Sequence, residues 1–180
     1  SQHFYNPNNQ AANTHYDPAG KNAAQGKLLE SLVKAAMQDA YFHQPAPKST
    51  GREKFNPAWL AALLAKTGLE TAAKEDILRS LVEITTLSVS NEVEKLDPNA
   101  SAEVYICGGG WQNDFLISRL EKLLAPRKMA STASLGLDPQ LVEASAFAWL
   151  AKQNLTGLAG NLPSVTGAKG ERILGGYYPA

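Results

Sequence analysis

The run Val104-Tyr105-Ile106-Cys107 is closed by three consecutive glycines, Gly108, Gly109 and Gly110, and this junction limits the fold more than any other feature of the chain. Valine, tyrosine and isoleucine favour the pleated surface of a buried strand. Three glycines then permit backbone angles closed to other residues, and they remove the side chains that would hold a ligand off the main chain. Asn113 or Asp114 can cap the helix that follows, whose Phe115, Leu116, Leu120, Leu123 and Leu124 fall at helical spacing. At such a junction the helix offers free N–H groups and its positive dipole end. A nucleotide could lie there; the same string also serves as a tight turn with close helix packing, and the pattern alone leaves both readings open.

Helices are expected on both sides of this junction. Leu28, Leu29, Leu32, Val33, Ala36 and Met37 recur at helical spacing and predict a helix over 28–40. Pro45 and Pro47 end it, and the string KSTGREK over 48–54 reads as a polar loop. Asn56 followed by Pro57 is a helix start with a mechanism, because asparagine can accept from a free N–H and proline lacks one to satisfy. Trp59, Leu60, Leu63 and Leu64 supply that helix's buried face. The longest helix is expected over 73–96, with Glu75 and Asp76 in its first turn. A weaker strand is expected over 128–131, and Asp138-Pro139 reads as a second capped start, opening a helix over 140–154. The stretch 156–180 is rich in glycine and proline and reads as loop, with a short extended piece at Ile173-Leu174. Residues 1–14 carry no period and read as a poorly ordered arm. Helix, strand, glycine turn, helix, strand, helix is the order of an α/β domain. A sheet of so few strands leaves an edge or a face to be covered by something else.

Composition narrows the partners. The 180 residues fit one domain, with 44% apolar content and 17 basic against 17 acidic side chains. That balance provides no field to draw nucleic acid or an anionic membrane. No apolar run approaches the roughly 20 residues that span a bilayer. Cys107 is the single cysteine, so no internal disulfide is possible and a cytoplasmic setting is expected. His3, His15 and His43 are scattered, and no metal-ligand spacing is present. Neither a GxxxxGK[ST] loop nor a GxGxxG string occurs.

Four blocks in order, YFxxPAPKSTGREKFN over 41–56, VYICGGGWQN over 104–113, VEASAFAWLA over 142–151 and GNLPSVTGA over 160–168, resemble the anhydro-N-acetylmuramic acid kinases. The resemblance implies the C-terminal, nucleotide-binding lobe of an actin-like (ribonuclease H-like) ATPase fold over 15–180, helix-rich with a small mixed sheet. It implies phosphorylation of 1,6-anhydro-N-acetylmuramic acid by ATP, with Mg2+, and ring opening to N-acetylmuramic acid 6-phosphate. By resemblance, Gly108, Gly109, Gly110 and Asn113 lie against adenosine and Glu143 faces the sugar; read from the residues alone, Glu143 is a solvent-facing first-turn glutamate. Thr50, Gly51, Arg52 and Glu53 are expected near the cleft. The family's GTSxDG-like phosphate loop and DTGPxN-like segment with the catalytic aspartate lie upstream of the matched region, and neither string occurs here. Asp17 and Asp39 lack that glycine-rich context, so no catalytic residue is assigned. The isolated chain is therefore expected to bind nucleotide weakly and to turn over no sugar, its missing N-terminal lobe being supplied in the full-length protein. Homodimerisation is implied by the family as well. The alternative is a non-catalytic nucleotide-binding or assembly module.

Overall fold

The computed structural model of the chain describes residues 16–178. The arm expected over 1–14, with His3 and His15, lies outside them. In chain order the helices are α1 (Lys21–Gln25), α2 (Glu30–Met37), α3 (Ala40–His43), α4 (Pro57–Thr67), α5 (Lys74–Leu96), α6 (Asp114–Leu124), α7 (Val142–Leu155) and α8 (Pro163–Thr166). Two strands, β1 (Val104–Ile106) and β2 (Met129–Ser131), flank α6, and 3-10 turns occupy Pro18–Gly20, Gly109–Gln112 and Thr132–Leu135.

α5 is the spine. Its 23 residues reach about 34 Å at 1.5 Å per residue, and α1, α2 and α6 all pack against it. The apolar core joins Leu32, Val33 and Ala36 of α2, Leu63 of α4 and Ile84 of α5, with Leu29, Trp59, Leu64 and Leu81 packed around them. Small hydroxyl side chains are buried along α5. Ser80 and Thr86 are fully buried, and each donates to a carbonyl on its own helix, Ser80 to Asp76 at 2.8 Å and Thr86 to Glu83 at 3.0 Å. Such back-bonding satisfies a hydroxyl that burial would otherwise penalise. Ser80 also accepts from the Leu29 N–H at 2.9 Å, fixing the entry into α2.

The crossover through α6 returns the chain in the direction of β1, so β1 and β2 pair in parallel with Val104 opposite Met129 and Ile106 opposite Ser131. The sheet is thus purely parallel among the described residues, not mixed as expected: the glycines feed a 3-10 turn and a helix, and no hairpin forms there. α6 buries Leu120 and Leu124. An ion-paired network locks it to α5. Glu83, 6% exposed, receives Arg119 of α6 at 3.0 and 2.7 Å and Arg79 at 3.2 Å, while the Arg79 guanidinium lies 4.7 Å from the centre of the Phe115 ring.

Most expected elements are present with shifted ends. Asn56 accepts from the Trp59 N–H at 3.0 Å with Pro57 at the first helical position, as its sequence implies. The helix expected over 28–40 is divided, because Asp39 leaves the helical region and accepts from Tyr41 N at 2.9 Å to start α3. The last long helix starts at Val142, not Gln140. Asp138 spends its carboxylate on the Gln140 N–H at 2.8 Å, closing a turn before the helix begins. Within 156–178 a short helix, α8, occupies what reads as loop, and Ile173-Leu174 joins no sheet. The tail is held instead by single bonds, Gly160 N–H to Arg172 O at 2.9 Å and the Asn154 side chain to Leu174 O at 2.9 Å.

Candidate functional site

The parallel pair delivers the glycine turn to the carboxyl end of β1, where open α/β sheets bind their ligands. Gly108 has φ +73°, which favours glycine. A Cβ added at Gly109 or Gly110 would meet nothing within 4 Å, so both present bare backbone to open space. Asn113 ends the turn and caps α6, its side chain accepting from the Leu116 N–H at 3.0 Å. Of the two caps the sequence offers, Asn113 is the one used.

A second turn faces the first. Tyr16, Asp17, Pro18 and Ala19, together with Gly109, Gly110, Gln112, Asn113 and Leu116, line an open cavity of about 490 Å3. Gly20 holds the two turns together: its φ is +70°, and a Cβ there would lie 2.2 Å from the Asn113 side-chain oxygen and 2.7 Å from Phe115 Cβ. The Asn113 side chain therefore needs Gly20 bare as well as the α6 N–H. Asp17 gives one carboxylate oxygen to the Asn22 N–H and the other to the Ala23 N–H, both at 2.9 Å. These bonds stiffen the turn.

Sequence reasoning passed over this second wall. Asp17-Pro18 is a turn signal of the kind used at Asn56-Pro57, but the string contains nothing that ties it to a turn some ninety residues on. Gly108 is anchored from the other side. Its N–H donates to Pro139 O at 2.7 Å, and the Gln140 side chain donates to Gly108 O at 3.2 Å. The start of α7 is thereby hooked to the glycine turn.

The other sequence candidates are placed elsewhere. Glu143 stands in the first turn of α7 with its side chain exposed, and it does not line the 490 Å3 cavity. Thr50, Gly51, Arg52 and Glu53 do not line it either. Glu53 folds back on its own loop, accepting from Gly51 N–H at 2.6 Å and Thr50 Oγ1 at 3.3 Å. Its own N–H and that of Gly51 hold the carboxyl below its ordinary value. Arg52 is exposed and makes no ion pair among the described residues.

That loop is anchored on aromatic side chains. Phe55 stacks on Phe42 at 5.5 Å and meets Trp59 edge-on at 5.0 Å. Lys48 reaches Glu92 of α5 at 2.8 Å, and Lys54 reaches Asp39 at 2.8 Å. Burial pushes the Asp39 carboxyl up, but hydrogen bonds from Lys54, the Tyr41 N–H and Trp59 outweigh it and hold the group below its usual range.

A second hollow of about 490 Å3 lies between α7 and the tail, lined by Phe147, Leu150, Leu155, Leu174 and Tyr177 among others. No charged side chain lines it. That hollow also carries the Asn154 carboxamide, the Tyr177 phenol and two glycines, and what sets the glycine cavity apart is the Asp17 carboxylate on its wall and its place at the carboxyl end of a parallel strand.

A sequence profile described as "Anhydro-N-acetylmuramic acid kinase" matches residues 7–180. Curated proteins of that name are similar to the chain. One from Shewanella loihica is 48% identical over 164 residues, covering 91% of this chain and 43% of the relative. One from Pseudomonas fluorescens is 47% identical over 164 residues, covering 91% and 44%. One from Burkholderia orbicola is 45% identical over 168 residues, covering 91% and 43%. The chain thus spans less than half the length of these relatives. With its helix-rich α/β fold, its bare glycine turn and a family match over nearly its whole length, the chain belongs to the anhydro-N-acetylmuramic acid kinase family.

Proposed function

We propose that this chain is the nucleotide-binding half of a kinase that phosphorylates 1,6-anhydro-N-acetylmuramic acid at its 6-position from ATP and opens the anhydro ring, giving N-acetylmuramic acid 6-phosphate. The observation that carries the reading is the open cavity where Gly109 and Gly110 present bare backbone at the carboxyl end of β1. Unscreened N–H and C=O groups beside a phenol and a carboxamide fit the sugar and base of a nucleotide. Residues 15–180 act as one lobe of an actin-like ATPase fold in the cytoplasm. Gly108, Gly109, Gly110 and Asn113 hold adenosine, Gly108 by fixing the turn and Asn113 by capping the helix behind it. Glu143 takes a sugar hydroxyl once the cleft is complete, and Thr50 to Glu53 border that cleft. Mg2+ keeps most of its water and binds through phosphate oxygens with one or two carboxylates, so it enters with the nucleotide.

Phosphoryl transfer also needs phosphate positioning and a residue to orient or deprotonate the nucleophile. Asp17 has both oxygens committed to backbone N–H groups, and Asp39 is tied to Lys54 and Trp59. Neither stands in the glycine-rich context that a base of this family needs, and the base and phosphate loop are assigned to another lobe. The exposed apolar side chains of α7 and the tail, including Phe147, Trp149, Leu155 and Tyr177, fit a surface which that lobe covers.

Calorimetric titration with ATP and a coupled kinase assay test the reading. The chain alone is expected to bind ATP weakly and produce no sugar phosphate, and a chain extended upstream to the length of its relatives to bind ATP and produce sugar phosphate. Absence of ATP binding in both forms would overturn the nucleotide reading; turnover by the chain alone would overturn the assignment of the base to another lobe.

A further inference from the structure

Gly108 leaves β1 at φ 73° and ψ −169°, angles that glycine reaches freely and that nothing in glycine itself selects. The segment entering α7 holds them. The Gly108 N–H donates to Pro139 O at 2.7 Å, and the Gln140 side chain donates to Gly108 O at 3.2 Å. The same oxygen accepts from the Trp111 N–H at 3.2 Å, so the glycine turn and the start of α7 meet on one carbonyl. A single bond is a pivot, whereas two bonds from neighbouring residues to one glycine also fix orientation.

The segment that carries this clamp is stiff. Asp138 accepts from the Gln140 N–H at 2.8 Å through its carboxylate and from the Leu141 N–H at 2.9 Å through its carbonyl, while the Leu137 N–H returns to Thr132 O at 3.1 Å. α7 follows at once and buries no residue, so packing does not fix its start independently of the clamp. Neither Pro139 nor Gln140 lines the glycine cavity, whereas Gly109 and Gly110 do. Gln140 is exposed, and an amide bond of this length facing water gains little over the bonds water would make. It opens and closes readily, and an element poised between two arrangements is what lets two places in a protein bias each other. We infer that Gln140 is a positioning residue which, through Gly108, couples α7 to the glycine turn, so that a nucleotide on the turn steadies α7. By linkage, restraint on α7 strengthens nucleotide binding by the same factor. This rests on the nucleotide reading above and adds to it the residue through which the site communicates with α7.

Hydrogen exchange of the chain with and without saturating ATP tests it. In the wild type, ATP is expected to slow exchange in the turn over 108–113. It is also expected to slow exchange about 5-fold or more in the first two turns of α7, 142–149, none of which lines the cavity. Gln140→Ala keeps the Pro139 bond and leaves Gly108 O with Trp111. It is expected to show the slowing in the turn and not in α7, a separation that a merely structural role would not produce. Gln140→Glu, of the same shape without the donor, is expected to behave likewise, and Gln140→Lys, which restores a donor of similar reach, to recover the slowing in α7. The side chain is exposed, so all three variants are expected to melt with the wild type. The coupling is overturned, and the nucleotide reading left standing, by a wild-type α7 indifferent to ATP while the turn responds, by an α7 response that survives Gln140→Ala or Gln140→Glu, or by no recovery in Gln140→Lys. A wild-type turn that does not respond to ATP brings down the nucleotide reading itself.

Discussion

Replacing Arg119 with alanine tests whether the ion-paired link between α5 and α6 holds the glycine junction in place. Glu83 is 6% exposed and receives three charge-assisted hydrogen bonds, two from Arg119 and one from Arg79. Removing one partner of a buried pair costs about 3–5 kcal/mol, because a desolvated charge is left behind. Arg79 stays within 3.2 Å of Glu83, which places the expected loss near the low end, about 3 kcal/mol. For a domain of this size each kcal/mol lowers Tm by about 2–4 °C, so a fall of roughly 6–12 °C follows. Urea denaturation followed by far-ultraviolet circular dichroism gives the free energy directly. The triple variant Arg79→Leu, Glu83→Leu and Arg119→Leu removes all three charges and is expected to recover much of the loss, since apolar replacement of a buried ion triad is often neutral. A loss below about 1 kcal/mol in Arg119→Ala, or a triple variant as unstable as the sum of the single ones, would refute the account.

Gly110→Leu is expected to leave Tm unchanged while abolishing ATP binding, because its Cβ enters open space and the side chain fills the cavity; calorimetry and a thermal melt separate the two effects. Gly20→Ala is expected to destabilise by more than 1 kcal/mol, since the new Cβ collides with Asn113 and sits at φ +70°; urea denaturation measures it. Asp97 has its carboxyl held at about 2 by the Ala102 N–H first, then by the Ser101 hydroxyl. Its contribution is therefore complete above the usual value of 3.8 and is lost as pH falls toward about 2. Asp97→Asn is expected to flatten the dependence of Tm on pH across that window. Hydrogen exchange is expected to be faster in α7, which buries no residue, than in α5, which buries Ser80, Glu83, Ile84, Thr86 and Ser90.

What could be read from the sequence is what local chemistry decides. Asn56-Pro57 and Asn113 are helix caps whose mechanism is complete within four residues, and both caps form. α5 is legible because its period persists through six turns. The failures share a different cause. Asp39 and Asp138 each had two uses for one carboxylate: Asp39, expected inside a helix, caps α3, and Asp138, expected to cap a helix, closes the turn before α7. Gly20 reads as an ordinary turn glycine, yet the atoms that forbid a side chain there belong to Asn113 and Phe115.

The same separation of local from distant causes governs α7. Val142, Ala146, Phe147, Trp149 and Leu150 fall at helical spacing, and the helix is there, but Phe147 is 64% and Trp149 51% exposed. Periodicity specifies the helix; burial requires a partner surface, which is a property of another segment. Helices in isolation are marginal at this length, since most helical stability comes from packing an apolar face. α7 is held at its start by the Pro139 and Gln140 bonds to Gly108 and near its end by Asn154. The first two join a helix that buries no residue directly to the glycine turn. A surface that covered Phe147 and Trp149 would therefore act on the glycine turn through Gly108, with no need for movement in the core around α5.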